Sequence, residues 1–156
     1  MAERSSRRFF DTDRVIEERH RVPVTEIFAQ HGEAHFRRLE SDVLDELAAE
    51  KDIVLGTGGG IIVTPGNLDK LKRIGLVVCL FAPTSCLLDR LKTDRSRPLL
   101  ASNDESSKEK RLNELIAARE TKYRMAQYTI ETANLAPEQV AMQIEKLLGM
   151  SDNTPN

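Results

Sequence analysis

The sequence predicts an α/β chain, a parallel sheet flanked by helices. Three observations carry that expectation. Two apolar runs end abruptly in acid or glycine: Phe9-Phe10-Asp11-Thr12-Asp13 and Ile53-Val54-Leu55-Gly56-Thr57-Gly58-Gly59-Gly60. A third run, Leu76–Phe81, is apolar on both faces, as a parallel strand covered on both sides requires. Segments with helical apolar spacing lie between these runs, and strands alternating with helices build a parallel sheet. Ligands of such sheets bind beyond the carboxyl ends of the strands, where the acids and glycines stand here.

Each element follows from local pattern. Phe9–Asp11 closes a buried strand. Asp13–His20 and Val24–His31 read as short helical turns, the second with Ile27 and Phe28 inward. From Gly32 to Glu50, Phe36, Leu39, Val43, Leu44 and Leu47 recur at the spacing of an amphipathic helix. Ile53–Leu55 is the next strand. Thr64-Pro65 opens a helix, with threonine as cap and proline at the first helical position. Thr84–Asp94 is a helix with Leu87, Leu88 and Leu91 inward, and Ser96–Lys108 is a polar loop. Lys110–Arg124 is helical, Tyr128–Glu131 is a strand, and Pro137–Leu148 is a final helix with Val140, Ile144, Leu147 and Leu148 in one stripe. Residues 151–156 form a disordered tail. No linker or repeat interrupts the chain, so residues 1–150 are expected to form one domain.

Composition narrows the function. Charged residues make up 31% and hydrophobic ones 40%, with a net charge of -2, so no basic field argues for nucleic acid. No apolar run is long enough to span a bilayer. The two cysteines, Cys79 and Cys86, argue against a disulfide framework and for a cytoplasmic location. Arginines cluster nevertheless, at Arg90, Arg95 and Arg97 and again at Arg111, Arg119 and Arg124. Local arginine clusters in a near-neutral chain suit a small carboxylate or phosphate ligand.

Several residues have the chemistry for such a ligand. Asp11 and Asp13 are two apart at a strand end, so extended geometry aims both at one face. One would then hold a metal ion through water while the other handles a substrate hydroxyl. The competing reading is a helix N-cap. Gly58-Gly59-Gly60 allows close approach of backbone to a ligand. Arg37 has Glu40 three residues on, a spacing that aims a guanidinium fork at a carboxylate. Spacing alone favours a surface ion pair there, worth under ~1 kcal/mol. Arg97, before a proline in the polar loop, is placed to fold over phosphates as lids do. His31 and His35 are spaced for zinc, but no third ligand is nearby and Gly32 lies between them.

Five stretches in order, FFDTD, GEAHFRRLE, GTGGG, DRLKTDRSRPLL and AARETKYR, together resemble the shikimate kinase family from about Phe9 to Leu148. The resemblance implies a nucleoside-monophosphate-kinase-like fold of the phosphate-loop class. It also implies transfer of the γ-phosphate of ATP, with Mg2+, to the 3-hydroxyl of shikimate on the route to chorismate and the aromatic amino acids. By resemblance, Asp11 would hold magnesium through water, and Asp13 would bind the shikimate hydroxyls and orient or deprotonate the attacking one. Arg37 and Arg119 would grip the carboxylate, with Glu40 orienting Arg37. The backbone of Gly58, Gly59 and Gly60 would close around the ring. Arg97 would descend on the ATP phosphates and Arg90 would lie against the adenine. No adenine-side residue is assigned near Thr132–Leu135, where the pattern aligns poorly. Shikimate is the expected partner, without nucleic acid or membrane, and the full-length form is expected to be a monomer.

One departure is large. Family members open with a strand, a phosphate loop and a helix, and no stretch of these 156 residues reads G-x-x-x-x-G-K-[ST]. The expectation is therefore an N-terminally truncated chain, lacking the first, central strand and the phosphate loop, with negligible turnover by itself. In the family that strand lies between those at Ile53 and Leu76, so its loss leaves strand edges open to aggregation or new pairing. The alternatives are a non-catalytic shikimate-binding or regulatory module, and another small-molecule kinase of the same class.

Overall fold

The computed structural model describes residues 1–93 and 105–151. Its elements run α1 (Ala2–Ser5), β1 (Arg8–Asp11), α2 (Thr12–His20), α3 (Val24–Leu47), β2 (Ile53–Gly56), a 3-10 turn (Ile61–Val63), α4 (Asn67–Ile74), β3 (Val78–Phe81), α5 (Thr84–Thr93), α6 (Glu105–Tyr123), β4 (Tyr128–Glu131) and α7 (Pro137–Ser151). The strands form two parallel pairs, β1 with β2 and β3 with β4. Asp11 lies opposite Gly56 in the first register, so the acid and the start of the glycine run share one strand end.

The chain falls into two compact units: Met1–Val77 with the chain from Ala141 onward, and Val78–Val140. The first has the larger core. Ile16 of α2 and Ile27, Phe36, Val43 and Leu47 of α3 are nearly inaccessible, with Phe10, Ile53 and Leu55 packed against them. The stripe expected on the long helix is therefore its buried face. The core residues of the second unit include Ala82, Leu112, Ile130 and Val140.

The helix assigned from Gly32 and the turn before it abut across a kink within α3, where Gly32 is non-helical at φ 76, ψ 173. That region is open almost solely to glycine, so Gly32→Ala is expected to cost on the order of 1–3 kcal/mol, read as a lower denaturation midpoint. No atom lies within 4 Å of a Cβ placed there, so the cost is one of backbone rather than crowding.

Three sequence expectations need correction. Thr64-Pro65 does not start a helix. Asn67 N donates to Thr64 O at 3.3 Å and Gly66 has φ 84, so Pro65 and Gly66 are the central residues of a type II turn and α4 begins at Asn67. The helix expected from Lys110 already begins at Glu105, inside the stretch assigned to a polar loop. The β3 strand is only half-buried and Leu80 is 55% exposed, so the cover expected on both faces is not reached with β4 as its partner. The rest of the polar loop, with Arg97, and the tail beyond Ser151 lie outside the described residues. Among the described residues no helix is long and apolar enough to cross a membrane.

One exposed pair ties α1 to α7. Arg4 donates to both carboxylate oxygens of Glu145, Nε at 2.9 Å and Nη2 at 3.0 Å. This hydrogen bonding holds the Glu145 carboxyl below its ordinary value of 4.5. A depressed carboxylate favours the folded chain above the unfolded value, and the benefit is lost as pH falls through the folded one. Glu145→Gln is therefore expected to lower stability at neutral pH and to match the parent once the pH is well below 4.5, as acid unfolding curves would show.

Candidate functional site

The site of the first unit grows from the β1–α2 junction. Asp11 is still extended at φ -112, ψ 124, and its side chain accepts hydrogen bonds from the backbone N–H of Asp13 and Arg14. Both reach Oδ1, at 3.0 and 3.1 Å. Asp11 is thus the N-cap of α2, satisfying amides that the helix leaves open. Its Oδ2 stands 3.6 Å from where a Cβ on Gly56 would be. Asp13 already lies in the first helical turn, so the same-face argument for extended residues fails for this pair. The helix carries its carboxylate to the glycine run instead. A Cβ on Gly58 would lie 3.7 Å from Oδ1 and 3.9 Å from Oδ2 of Asp13.

Arg37 arrives from α3. Its Nη1 donates to Glu40 at 2.8 Å. Its Nε and Nη2 donate to Oε1 of Glu33 at 3.2 and 2.7 Å. Phe36, whose ring centroid is 5.7 Å from Cζ of Arg37, stacks in turn near Phe28. The surface pair favoured by spacing is not what forms. The Arg37 side chain is 14% exposed and that of Glu40 1%. Burial alone would lower the pKa of Arg37, but the hydrogen bonds to Glu40 and Glu33 outweigh it and leave it raised. The guanidinium is a fixed cation. Of its five N–H groups, three are engaged by these carboxylates among the described residues.

The glycine turn closes against both groups. A Cβ on Gly58 would also lie 3.7 Å from Oε1 of Glu40, and one on Gly60 would run into the guanidinium of Arg37. The turn is anchored from behind. Ile61 N donates to Gly58 O at 3.1 Å and Val63 N to Gly60 O at 3.0 Å. Asn67, fully buried, donates from Nδ2 to Ile61 O at 3.0 Å and accepts from Ser41 Oγ at 2.8 Å. Asn67→Ala is expected to cost about 1–3 kcal/mol, because a buried carbonyl loses its donor, and a lowered thermal midpoint would register it. Neither Asn67 nor Glu33 was singled out from the sequence. Glu33 had a signal, since it sits four residues before Arg37. Asn67 had none.

Asp13, Arg37, Glu40, Gly58 and Gly60 are therefore brought together in one unit, with Asp11 at the adjoining strand end. Arg90 and Arg119 belong to the second unit. Arg90, on α5, donates from Nη2 to Thr132 O at 2.7 Å and from Nη1 to Thr132 Oγ1 at 3.3 Å. Thr132 in turn donates from N and Oγ1 to Phe81 O, at 2.7 and 3.0 Å, so Arg90 is held at the ends of β3 and β4. Thr132 is a residue that sequence reasoning left out. Arg119 lies half-buried on α6. The His31 and His35 rings are tilted at 50° to one another with centroids 4.9 Å apart. No group of three or more metal-ligating side chains occurs among the described residues.

Comparison with known proteins points one way. The family model described as shikimate kinase matches residues 1–148. A shikimate kinase of Acinetobacter baylyi is 39% identical over 149 residues, covering 95% of this chain and 81% of that protein. One from Caldanaerobacter subterraneus subsp. tengcongensis is 38% identical over 136 residues, covering 87% and 78%. The structure of shikimate kinase from Acinetobacter baumannii in complex with shikimate superposes with a TM-score of 0.86 at 37% identity, over 99% of this chain and 84% of that one. That from Bacteroides thetaiotaomicron gives 0.86 at 29% identity, over 97% and 87%. With a buried arginine fork and an aspartate meeting at a glycine turn, and with this family model matched nearly end to end, the chain belongs to the shikimate kinase family.

Proposed function

We propose that this protein is an ATP-dependent shikimate kinase of aromatic amino acid biosynthesis, phosphorylating the 3-hydroxyl of shikimate as a cytoplasmic monomer. The observation that carries the proposal is the meeting of Asp13 with the Arg37–Glu40 pair at the Gly58–Gly60 turn. A carboxylate beside a fixed guanidinium suits a ligand that is both polyhydroxylated and a carboxylic acid. Asp13 accepts from the ring hydroxyls and holds or takes the proton of the attacking one. Arg37 grips the carboxylate with its remaining N–H groups, the role that the family resemblance also gives to Arg119. Gly58, Gly59 and Gly60 leave room for the ring.

Some of the residues present would suit a nucleotide and its metal ion, although the phosphate cradle is not among them. Asp11 spends Oδ1 on capping α2, which leaves Oδ2 for a magnesium ion held through water. Arg90 is fixed by Thr132 at the strand ends, where it can lie along an adenine, and Arg97 is assigned to the phosphates. Bound ATP with magnesium supplies the phosphoryl group and offsets its charge. The rest is positioning and charge neutralisation, which dominate phosphoryl transfer.

Titration calorimetry with shikimate alone tests the acceptor half of this reading. Saturable binding is expected, and its absence would overturn the reading. For the polypeptide of these 156 residues we expect negligible turnover in a coupled assay, since its sequence holds no phosphate-cradling run. Loss of even one charge-stabilising donor typically costs about 10²–10³ in rate. Ordinary turnover by this polypeptide would refute that part.

A further inference from the structure

We infer that Gly60 is a positioning residue for Arg37: the missing Cβ is the slot in which the guanidinium is held. The inference rests on the acceptor role just proposed for Arg37, but its geometry stands apart from any ligand. Gly60 is buried and has φ -86, ψ -16, a conformation that any residue adopts. Backbone freedom is therefore not the reason for glycine here. A Cβ on Gly60 would stand 2.6 Å from Cζ of Arg37 and 2.5 Å from Nη2, and closer still to Nη1. No real side chain fits those distances. Gly58 differs, since its Cβ would make ordinary contacts with Asp13 and Glu40.

Which partner would yield is also decided. Gly60 opens the 3-10 turn, Ile61 next to it is 1% exposed, and Asn67 holds the Ile61 carbonyl. The backbone is anchored, whereas the guanidinium is the far end of a flexible side chain. An added methyl group would push Arg37 off its line and crowd its Nη1 and Nη2 atoms. Glu33 holds the Nε side and Glu40 holds Nη1, so Gly60 supplies the remaining wall. The fork's aim is thus set by two carboxylates and one absent methyl group.

Gly60→Ala tests this by two readouts. The first is the Arg37 Nε–H signal in a proton–nitrogen correlation spectrum, assigned by its loss in Arg37→Lys. In Gly60→Ala the signal is expected to shift and to exchange faster with water, while backbone amides remote from the turn and α3 keep their positions. An unmoved signal overturns the inference. The second is calorimetric titration with shikimate. Binding is expected to weaken about tenfold or more, since a fork displaced by an ångström loses its bidentate geometry. In an Arg37→Ala background, adding Gly60→Ala should change nothing further. An equal loss in both backgrounds would show that Gly60 acts without Arg37, and overturns the inference. Should the parent chain not bind shikimate at all, the proposed function fails while the spectrum still decides the slot. Should Gly60→Ala not fold, the Arg37→Ala/Gly60→Ala pair should fold again, because the space is vacated. If that pair fails where Arg37→Ala alone folds, Gly60 serves the backbone and the inference is wrong.

Discussion

Arg37→Ala is expected to unfold at distinctly lower denaturant than the parent and to bind shikimate much more weakly, though still within the reach of calorimetry. Both effects have one origin. The guanidinium faces Glu40, whose side chain is 1% exposed, across 2.8 Å. Removing one partner of a buried pair typically costs 3–5 kcal/mol, because the other charge stays behind in a poor solvent. Glu33 adds little to that sum. Its side chain is 54% exposed, and an exposed pair at this spacing contributes roughly 0.3–0.5 kcal/mol. Glu33→Gln is the internal comparison, and should leave the denaturation midpoint nearly unchanged. An Arg37→Met/Glu40→Leu pair should recover much of the loss, since apolar replacement of both partners is often neutral. If the single and double variants unfold alike, Glu40 is not held by Arg37 in the way the geometry shows.

Asp13→Asn is expected to keep the fold and lose the acceptor. The amide has nearly the shape of the carboxylate but no charge. Hydrogen bonds to charged groups contribute about 1.5–3 kcal/mol, so shikimate binding should weaken by on the order of tenfold to a hundredfold. Asp11→Asn offers a contrast. Asp11 Oδ1 serves the amides of α2, and asparagine is an equally good N-cap, so stability should be retained. Calorimetry with shikimate separates the two variants. Equal losses of affinity would mean that the two aspartates share one role, against the division seen between cap and glycine turn.

Much of the site was legible because its parts are local. A helix N-cap is one of the two readings that the Asp11/Asp13 pair leaves open in sequence, and Asp11 is that cap. Gly32 reads as a break in helix, and its backbone is indeed non-helical. The strand at Tyr128–Glu131 falls where its pattern put it. Other features escaped because they depend on residues far apart. The i,i+3 spacing of Arg37 and Glu40 is the same whether the pair is wet or dry. Burial by the core around Phe36 and Val43 is what turns a weak surface pair into a fixed fork. Pro65-Gly66 could equally open a helix or make a turn. The Asn67 side chain, held by Ser41 and Ile61, belongs to the structure that settled for the turn.

The sequence alone determined the order of the strands and of the main helices, the glycine run at a strand end, and the family to which the motifs belong. These rest on periodicity, capping and spacing, which neighbouring residues fix among themselves. Tertiary structure decided which carboxylates are desolvated, that Asp13 reaches Gly58 while Asp11 caps α2 beside Gly56, and that Gly60 must lack a side chain. Those outcomes follow from packing α2, α3 and the glycine turn against one another, and no residue can declare in advance what will lie against it.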